Sequence, residues 1–550
     1  MKRIFQITML LVILVFLSII FSQNVGNSKE QSLEVRFLAS DQKEVEIKNE
    51  QDSILLIRGS KVFLLEEKEV ESKVQYRGSI YFIPVSNLVQ NKEEIVQEKE
   101  MYVRTSTTLY ESDSSSKIEG FLKKGEKVEV IGYDFLLEDG SVSKYKVKYQ
   151  DKEGYIRSKY LVPTKNEAIA MYDYDGSYQK HLKMGDSLGG GSASTLDYYP
   201  VEKPTFSNNK MPEEVRALYL NAGVLKNIDA YIDFAKENNI NAFVVDIKDN
   251  TVAAYEADSM SKYSKTNFNH AIYTKDEYKK YIQKLKDNGF YVIGRITVFK
   301  DSYYVIDHPK DAILNTKTNS PLKHNDSYWP SPYSRNVWEF NVELAKESIR
   351  DIGFHEIQFD YVRFPDRMIS LEQSGIIDYN NVYKESKAEA IQSFVMYAAD
   401  EIHDLAAYIS VDVFGESAQN YVTAYGQYWP AISNVVDVIS GMPYPDHFDK
   451  HQYGIEEVVW TVPYKLLKKW GEYVVSKQEL IPTPAKVRTW IQAYDTKKDP
   501  ATIYDDEKVS EEIEALYENG LTGGYMTWNS SSKLSKYEEI KEAFRREYQR

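Results

Sequence analysis

From Met211 to the end, short β-rich apolar runs alternate with amphipathic stretches of helical period, and this alternation restricts the fold more than any other feature. Strands are predicted near 215–221, 242–249, 291–299, 356–364, 408–416, 435–442, 487–494 and 521–528. Helical patterns occupy 226–238, 275–288, 336–352, 384–407, 456–470, 507–519 and 535–547. Strands joined through helices pair in parallel, each helix serving as the crossover. Eight repeats in about 340 residues predict an α/β fold of the (β/α)8 TIM barrel type with insertions, where about 250 residues is typical and over 400 tolerated. A doubly wound open sheet would want a glycine-rich phosphate turn after its first strand, and Asn221-Ala222-Gly223 is not one.

Such barrels do their chemistry at the C-terminal ends of the strands. In His355-Glu356-Ile357-Gln358-Phe359-Asp360-Tyr361-Val362-Arg363-Phe364-Pro365-Asp366 the strand ends by Pro365, which cannot donate to a ladder, and Gln358 and Asp360 share one face. The other strand ends supply Asn221, Asp246 with Lys248 and Asp249, Arg295, Arg363, Asp412 with Glu416, Tyr444 with Asp446, Gln492 with Tyr494 and Asp495, and Trp528 with Asn529. Inserts after strands two and three add Tyr303, Tyr304, Tyr328, Trp329 and Tyr333. Flat aromatic faces beside carboxylates suit a sugar ring. Cleavage of a glycosidic bond needs two carboxyl groups, one as acid and one as nucleophile or base. Asp360 and Glu416, closing adjacent strands, are the expected catalytic pair, with Arg363 keeping Asp360 ionised and Phe414 raising the proton affinity of Glu416. Asn221, Asp246, Lys248, Arg295, Arg363, Asp412, Tyr444, Gln492, Trp528 and Asn529 are expected to bind substrate, with no metal and no cofactor.

These residues also carry a resemblance. The runs 215–221 (VRALYLN), 243–249 (FVVDIKD), 294–301 (GRITVFKD), 358–365 (QFDYVRFP), 411–415 (VDVFG) and 524–529 (GYMTWN) resemble, in order, the "putative glycoside hydrolase domain" of bacterial secreted proteins, long a family of unknown function. The resemblance covers about 214–530 and implies a TIM-barrel hydrolase-like fold, without fixing a substrate. The strand-four Asp and strand-five Glu also look like the arrangement of the alpha-amylase superfamily, an analogy of fold alone. Two other readings stay open. His447 and His451, four apart, would suit a metal-dependent hydrolase or deacetylase, and a barrel that had lost its reaction would be a polysaccharide-binding surface protein.

Ahead of the barrel, alternating runs over 31–99 read as a small all-β module, and Lys73–Val89 is echoed weakly at Lys146–Val162. The region 100–164, with Leu122-Lys123-Lys124-Gly125-Glu126-Lys127-Val128 and Gly154-Tyr155-Ile156, resembles the bacterial SH3 domain, which implies a wall or peptide contact, or a plain spacer. Residues 165–210, with Gly189-Gly190-Gly191-Ser192, read as a linker before a barrel domain at 211–550. Lys2-Arg3 followed by the uncharged run 4–21 marks 1–30 as a signal peptide or an uncleaved membrane anchor, and so a secreted or surface-held bacterial protein. The absence of cysteine excludes thiol catalysis, disulfides and cysteine zinc sites, and a formal charge of -15 argues against a nucleic-acid partner. A neutral or cationic polysaccharide is the expected partner.

Overall fold

The computed structural model describes residues 34–549, so the hydrophobic segment read as a signal peptide or anchor lies outside the described residues. Among those described, no helix is long and apolar enough to cross a membrane. The chain divides into two compact units, Met1–Met101 with Val128–Tyr149 and Arg157–Lys159, and Tyr102–Lys127 with Gln150–Ile156 and Tyr160–Arg550.

In the first unit, strand Glu44–Lys48 turns Val45 and Ile47 inward and its charged residues outward, and the two join Leu38, Val62, Val74 and Ile83 in one core. Buried Arg58 donates to the carbonyls of Ser40 (3.1 Å) and Gly140 (2.7 Å) and to Glu98 (2.8 Å). These partners offset the cost of taking a guanidinium out of water. The sheet of this unit has seven strands in the order third, second, sixth, fifth, fourth, first, seventh.

The second unit holds the barrel. Its strands are Val215–Leu220, Ala242–Asp249, Tyr291–Thr297, Glu356–Asp360, Tyr408–Phe414, Val438–Met442, Lys486–Val487 continued by Thr489–Gln492, and Gly524–Trp528. Each pairs in parallel with its neighbour, and the eighth returns to the first. Strand seven is broken only at Arg488: its first half pairs with strand six and its second with strand eight. The Arg488 N–H still donates to the Ile439 carbonyl (3.1 Å), so the ring closes through one residue.

All eight strands lie where the alternation predicts them, and the crossover helices follow local rules. Lys275–Asp287 and Lys387–His403 open on capping boxes, Thr274 with Glu277 and Ser386 with Glu389, while Pro463–Gln478 opens on a proline whose missing N–H would be unpaired in any case. Lys387–His403 is buried almost all round, because its outer side is covered as well. Within this unit the Tyr397 hydroxyl donates to the Ser116 carbonyl (2.6 Å), and the Arg335 guanidinium lies 4.1 Å from the centre of the Phe121 ring.

The stretch expected as a linker differs from that expectation. Residues 165–210 belong to the barrel's unit, and Ala193, Leu196 and Tyr198 are fully buried against Val422, Tyr428 and Ile481. Its glycines misled because they serve close packing rather than freedom: a Cβ on Gly190 would stand 2.0 Å from the Thr423 carbonyl oxygen.

Strand register makes the barrel interior polar on one side. Gln358 of strand four pairs with Ser410 of strand five, so Asp360 and Asp412, two residues further along each strand, turn the same way at the C-terminal end. Toward the N-terminal end, Glu356 is ion-paired with Arg488 (2.7 Å), both wholly buried, and accepts from the Tyr291 hydroxyl (3.0 Å).

Candidate active site

Arg295, at the centre of strand three's inward face, organises the barrel mouth. Its Nε and Nη2 donate to one oxygen of Asp360 (3.1 and 2.6 Å), and its Nη1 donates to Asp246 (2.7 Å). The remaining Asp360 oxygen accepts from the Tyr361 N–H (2.6 Å). Tyr361 has φ of 52°, a left-handed conformation costly for a bulky residue, immediately after the carboxylate it holds. Asp246 also accepts from the Tyr219 hydroxyl. Burial pushes its carboxyl up to about 6 against the downward pull of Arg295.

Asp412 is the third inward carboxyl. One oxygen accepts from the Trp490 indole N–H (2.8 Å), and the other is buried with no hydrogen-bond partner among the described residues. Burial, and then the neighbouring Asp360 charge, push Asp412 well above the usual carboxylate range. Trp528 completes this layer, half-buried, with its ring 5.3 Å from the Arg295 guanidinium and stacked at 6.4 Å on Tyr444.

The sequence in turn matches one family. Residues 217–534, more than half of the chain, fit the family described as "Putative glycosyl hydrolase domain". The chain belongs to that family. No curated protein matches it. Among solved structures it is similar to a hypothetical protein of Ruminiclostridium thermocellum (29% identity, 36% of this chain and 97% of that one, TM-score 0.30). It is similar also to the PgaB (BpsB) glycoside hydrolase domain of Bordetella bronchiseptica (13% identity, 60% and 98%, TM-score 0.44) and the Bacillus cereus spore cortex-lytic enzyme SleL (11% identity, 61% and 75%, TM-score 0.37).

Beside the inward layer of this glycosyl hydrolase domain is a cleft of about 660 Å3 whose walls include Glu416, Tyr421, Tyr425, Met442, Asp446 and His447. Glu416 sits on the short helical turn Gly415–Ala418 after strand five and accepts from the hydroxyls of Tyr421 (3.1 Å) and Tyr425 (2.8 Å). Asp360 and Asp412 do not line the cleft, although Phe414 and Met442, at the ends of strands five and six, do. Structure therefore brings Asp246, Arg295, Asp360 and Asp412 together, and gives Glu416 a separate set of partners.

Other expected contacts are reassigned. Arg363 does not touch Asp360: it donates to the Phe364 carbonyl (3.0 Å) and Asp366 (3.3 Å), with its guanidinium 4.2 Å from the Phe414 ring centre, and Arg295 takes its expected role. The reason is parity, since Arg363 lies beyond the strand end whereas Arg295 faces inward from the neighbouring strand. Nor is Phe414 the neighbour that defines Glu416, whose oxygens meet two hydroxyls. Lys248 is wholly buried and donates to the Thr297 carbonyl (2.6 Å) and Asp301 (2.7 Å), so it fastens the loop after strand three. Asn221 caps the turn that follows it through Gly223 (3.0 Å) and donates to the Ser530 carbonyl (3.2 Å) and the Ser532 hydroxyl (3.3 Å), tying it to the loop after strand eight, while Asn529 accepts from Ser531 (2.9 Å) and donates to the Lys533 carbonyl (3.4 Å) in its own turn. Gln492 is buried and its amide oxygen accepts from the Asp446 N–H (3.2 Å), which sets one cleft wall. Of the insert aromatics, Tyr304, Trp329 and Tyr333 are buried packing rather than open faces.

His451 bonds to the Ile455 carbonyl (3.3 Å) and His447 lies beside Asp446. Among the described residues, the acid group with metal-like spacing is Asp258, Glu347 and Asp351, and the Lys275 ammonium reaches all three at 2.7, 2.6 and 3.1 Å. The sequence missed Tyr219, Trp490, Tyr421 and Tyr425. Tyr219 and Trp490 were reachable by parity, each two residues before a rim residue, while nothing local marks Tyr421 or Tyr425 as Glu416 partners.

Proposed function

We propose that this chain hydrolyses glycosidic bonds in a bacterial wall, capsular or biofilm polysaccharide. Asp360 acts on the anomeric carbon, directly or through water, and Glu416 protonates the leaving oxygen. The observation that carries this reading is Arg295, which grips Asp360 by two N–H groups and leaves it ion-paired at the C-terminal rim, where barrels of this kind react. After the adjoining strand five, a cleft large enough for sugar rings offers the more accessible carboxyl of Glu416. One observation favours a second reading of the acid. Burial and the Asp360 charge raise the proton affinity of Asp412, and one of its oxygens has no hydrogen-bond partner among the described residues, as a proton donor requires.

The net charge of -15 favours a neutral or cationic glycan. A surface location, with residues 1–30 as signal peptide or anchor and the second β module as a wall or peptide contact, is part of the same proposal. The test is release of new reducing ends from a panel of bacterial polysaccharides. Asp360→Asn should abolish turnover, and Glu416→Gln or Asp412→Asn, whichever replaces the acid, should cut it by about 10^2-fold or more while binding survives. Binding by the parent chain with no turnover on any polysaccharide would favour a non-catalytic binding protein.

A further inference from the structure

The cleft wall that holds Glu416 is pinned by residues outside the family-matched segment. Gly185–Asp186 forms a two-residue strand paired in parallel with Tyr421–Val422, and the Ser187 N–H extends the pairing to the Val422 carbonyl (2.9 Å). Immediately after it, one Asp186 oxygen accepts from the N–H groups of Gly189 (3.1 Å), Gly190 (2.9 Å) and Gly191 (3.4 Å), closing the chain into a tight turn. That turn is jammed against the same loop. The Gly190 Cα approaches the Thr423 carbonyl so closely that a Cβ would stand 2.0 Å from its oxygen, and the Gly190 carbonyl accepts from the Ala388 N–H (3.0 Å) at the start of helix Lys387–His403. Ser187 itself lines the cleft. The loop held in this way carries Tyr421 and Tyr425, whose hydroxyls are the two donors to Glu416.

We propose that the strap 185–191 is a working part of the active site: by clamping the loop after strand five it positions Tyr421 and Tyr425, and through them the Glu416 carboxyl. This rests on the reading of Glu416 as proton donor for its catalytic meaning, and on the contacts above for its mechanics. Asp186 and Gly190 are then positioning residues, and the functional unit begins well before residue 217, where the family match starts. A barrel cut at that point would keep its strands and lose the orientation of its acid.

The test reads Glu416 directly in the full chain. Carboxyls are labelled with a water-soluble carbodiimide and glycinamide, and the Glu416 rate is followed by peptide mass spectrometry against Asp499, whose side chain is fully exposed. Amide hydrogen exchange over 421–427 is measured in parallel. Gly190→Ala, and the milder Asp186→Ala should the first not fold, are expected to speed exchange in that loop and raise Glu416 labelling several-fold. Tyr421→Phe should raise labelling with the strap intact, and combining it with the strap variant should add little. Labelling at the parent rate in a variant whose loop exchange has risen would overturn the proposal, as would unchanged loop exchange. No substrate is needed, so failure of the chain to hydrolyse any glycan would remove the acid role of Glu416 while leaving the result on the strap standing.

Discussion

Replacing Arg295 with methionine removes the one cation that Asp246 and Asp360 share. The three side chains are 2%, 4% and 8% exposed, so water screens little of the loss. Breaking one buried ion pair by deleting a partner costs about 3–5 kcal/mol. With two carboxylates stranded by one change, the loss at pH 7.5 should reach the upper end, about 5 kcal/mol. Its pH dependence follows from Asp246, whose folded-state carboxyl titrates at about 6 against an ordinary value of 3.8. A raised carboxyl binds its proton more tightly when folded. Its contribution therefore favours the native state below pH 3.8 and is lost as pH rises through about 6, a change of about 3 kcal/mol in the parent protein. At pH 5 Asp246 is already protonated in both proteins, so Arg295→Met breaks only the pair with Asp360, and the loss should fall to the lower end, about 3 kcal/mol. Urea unfolding at the two pH values, compared at constant slope, measures both quantities. A loss below about 1 kcal/mol at pH 7.5, or equal losses at both pH values, would refute the idea that Arg295 neutralises two desolvated acids.

Asp412→Asn keeps an acceptor for Trp490 and removes a charge that burial disfavours, so thermal unfolding should change by less than about 1 kcal/mol; a loss above about 3 kcal/mol would refute this. Lys275→Met leaves Asp258, Glu347 and Asp351 with ligand atoms within 4.8 Å of one another, and millimolar calcium or manganese should raise the melting temperature of the variant but not of the parent. No response from the variant would show that the three acids cannot close around an ion. Gly140→Ala in the first unit should cost about 1–3 kcal/mol by calorimetry, because φ is 77° and the added Cβ would meet Ile57 at 2.4 Å and the Lys43 carbonyl at 2.7 Å.

Much of the fold was legible because strand and helix periods are local. The run at 356–364 announces a strand from its own residues, and the same parity that groups Gln358 with Asp360 groups Asp246 with Val244 and Trp490 with Gln492. Carboxyls at the rim could therefore be named, but their partners could not. Arg363 is near Asp360 in sequence and Arg295 is 65 positions away, yet register sets Arg295 beside Gln358 on the adjoining strand, and its guanidinium reaches Asp360. Glycines at 189–191 look the same in sequence whether they loosen a linker or let two backbones touch. The difference is the Thr423 carbonyl, which belongs to a distant loop.

The sequence by itself determined the number of strands, their direction and which side chains share a face, since each depends on hydrophobic period and turn chemistry within a few residues. Tertiary structure alone decided that Arg295 pairs with Asp246 and Asp360, that burial raises the proton affinity of Asp412, and that tyrosines hold Glu416. Those outcomes depend on distance and desolvation between segments far apart in the chain, and both exist only once the ring of strands has closed.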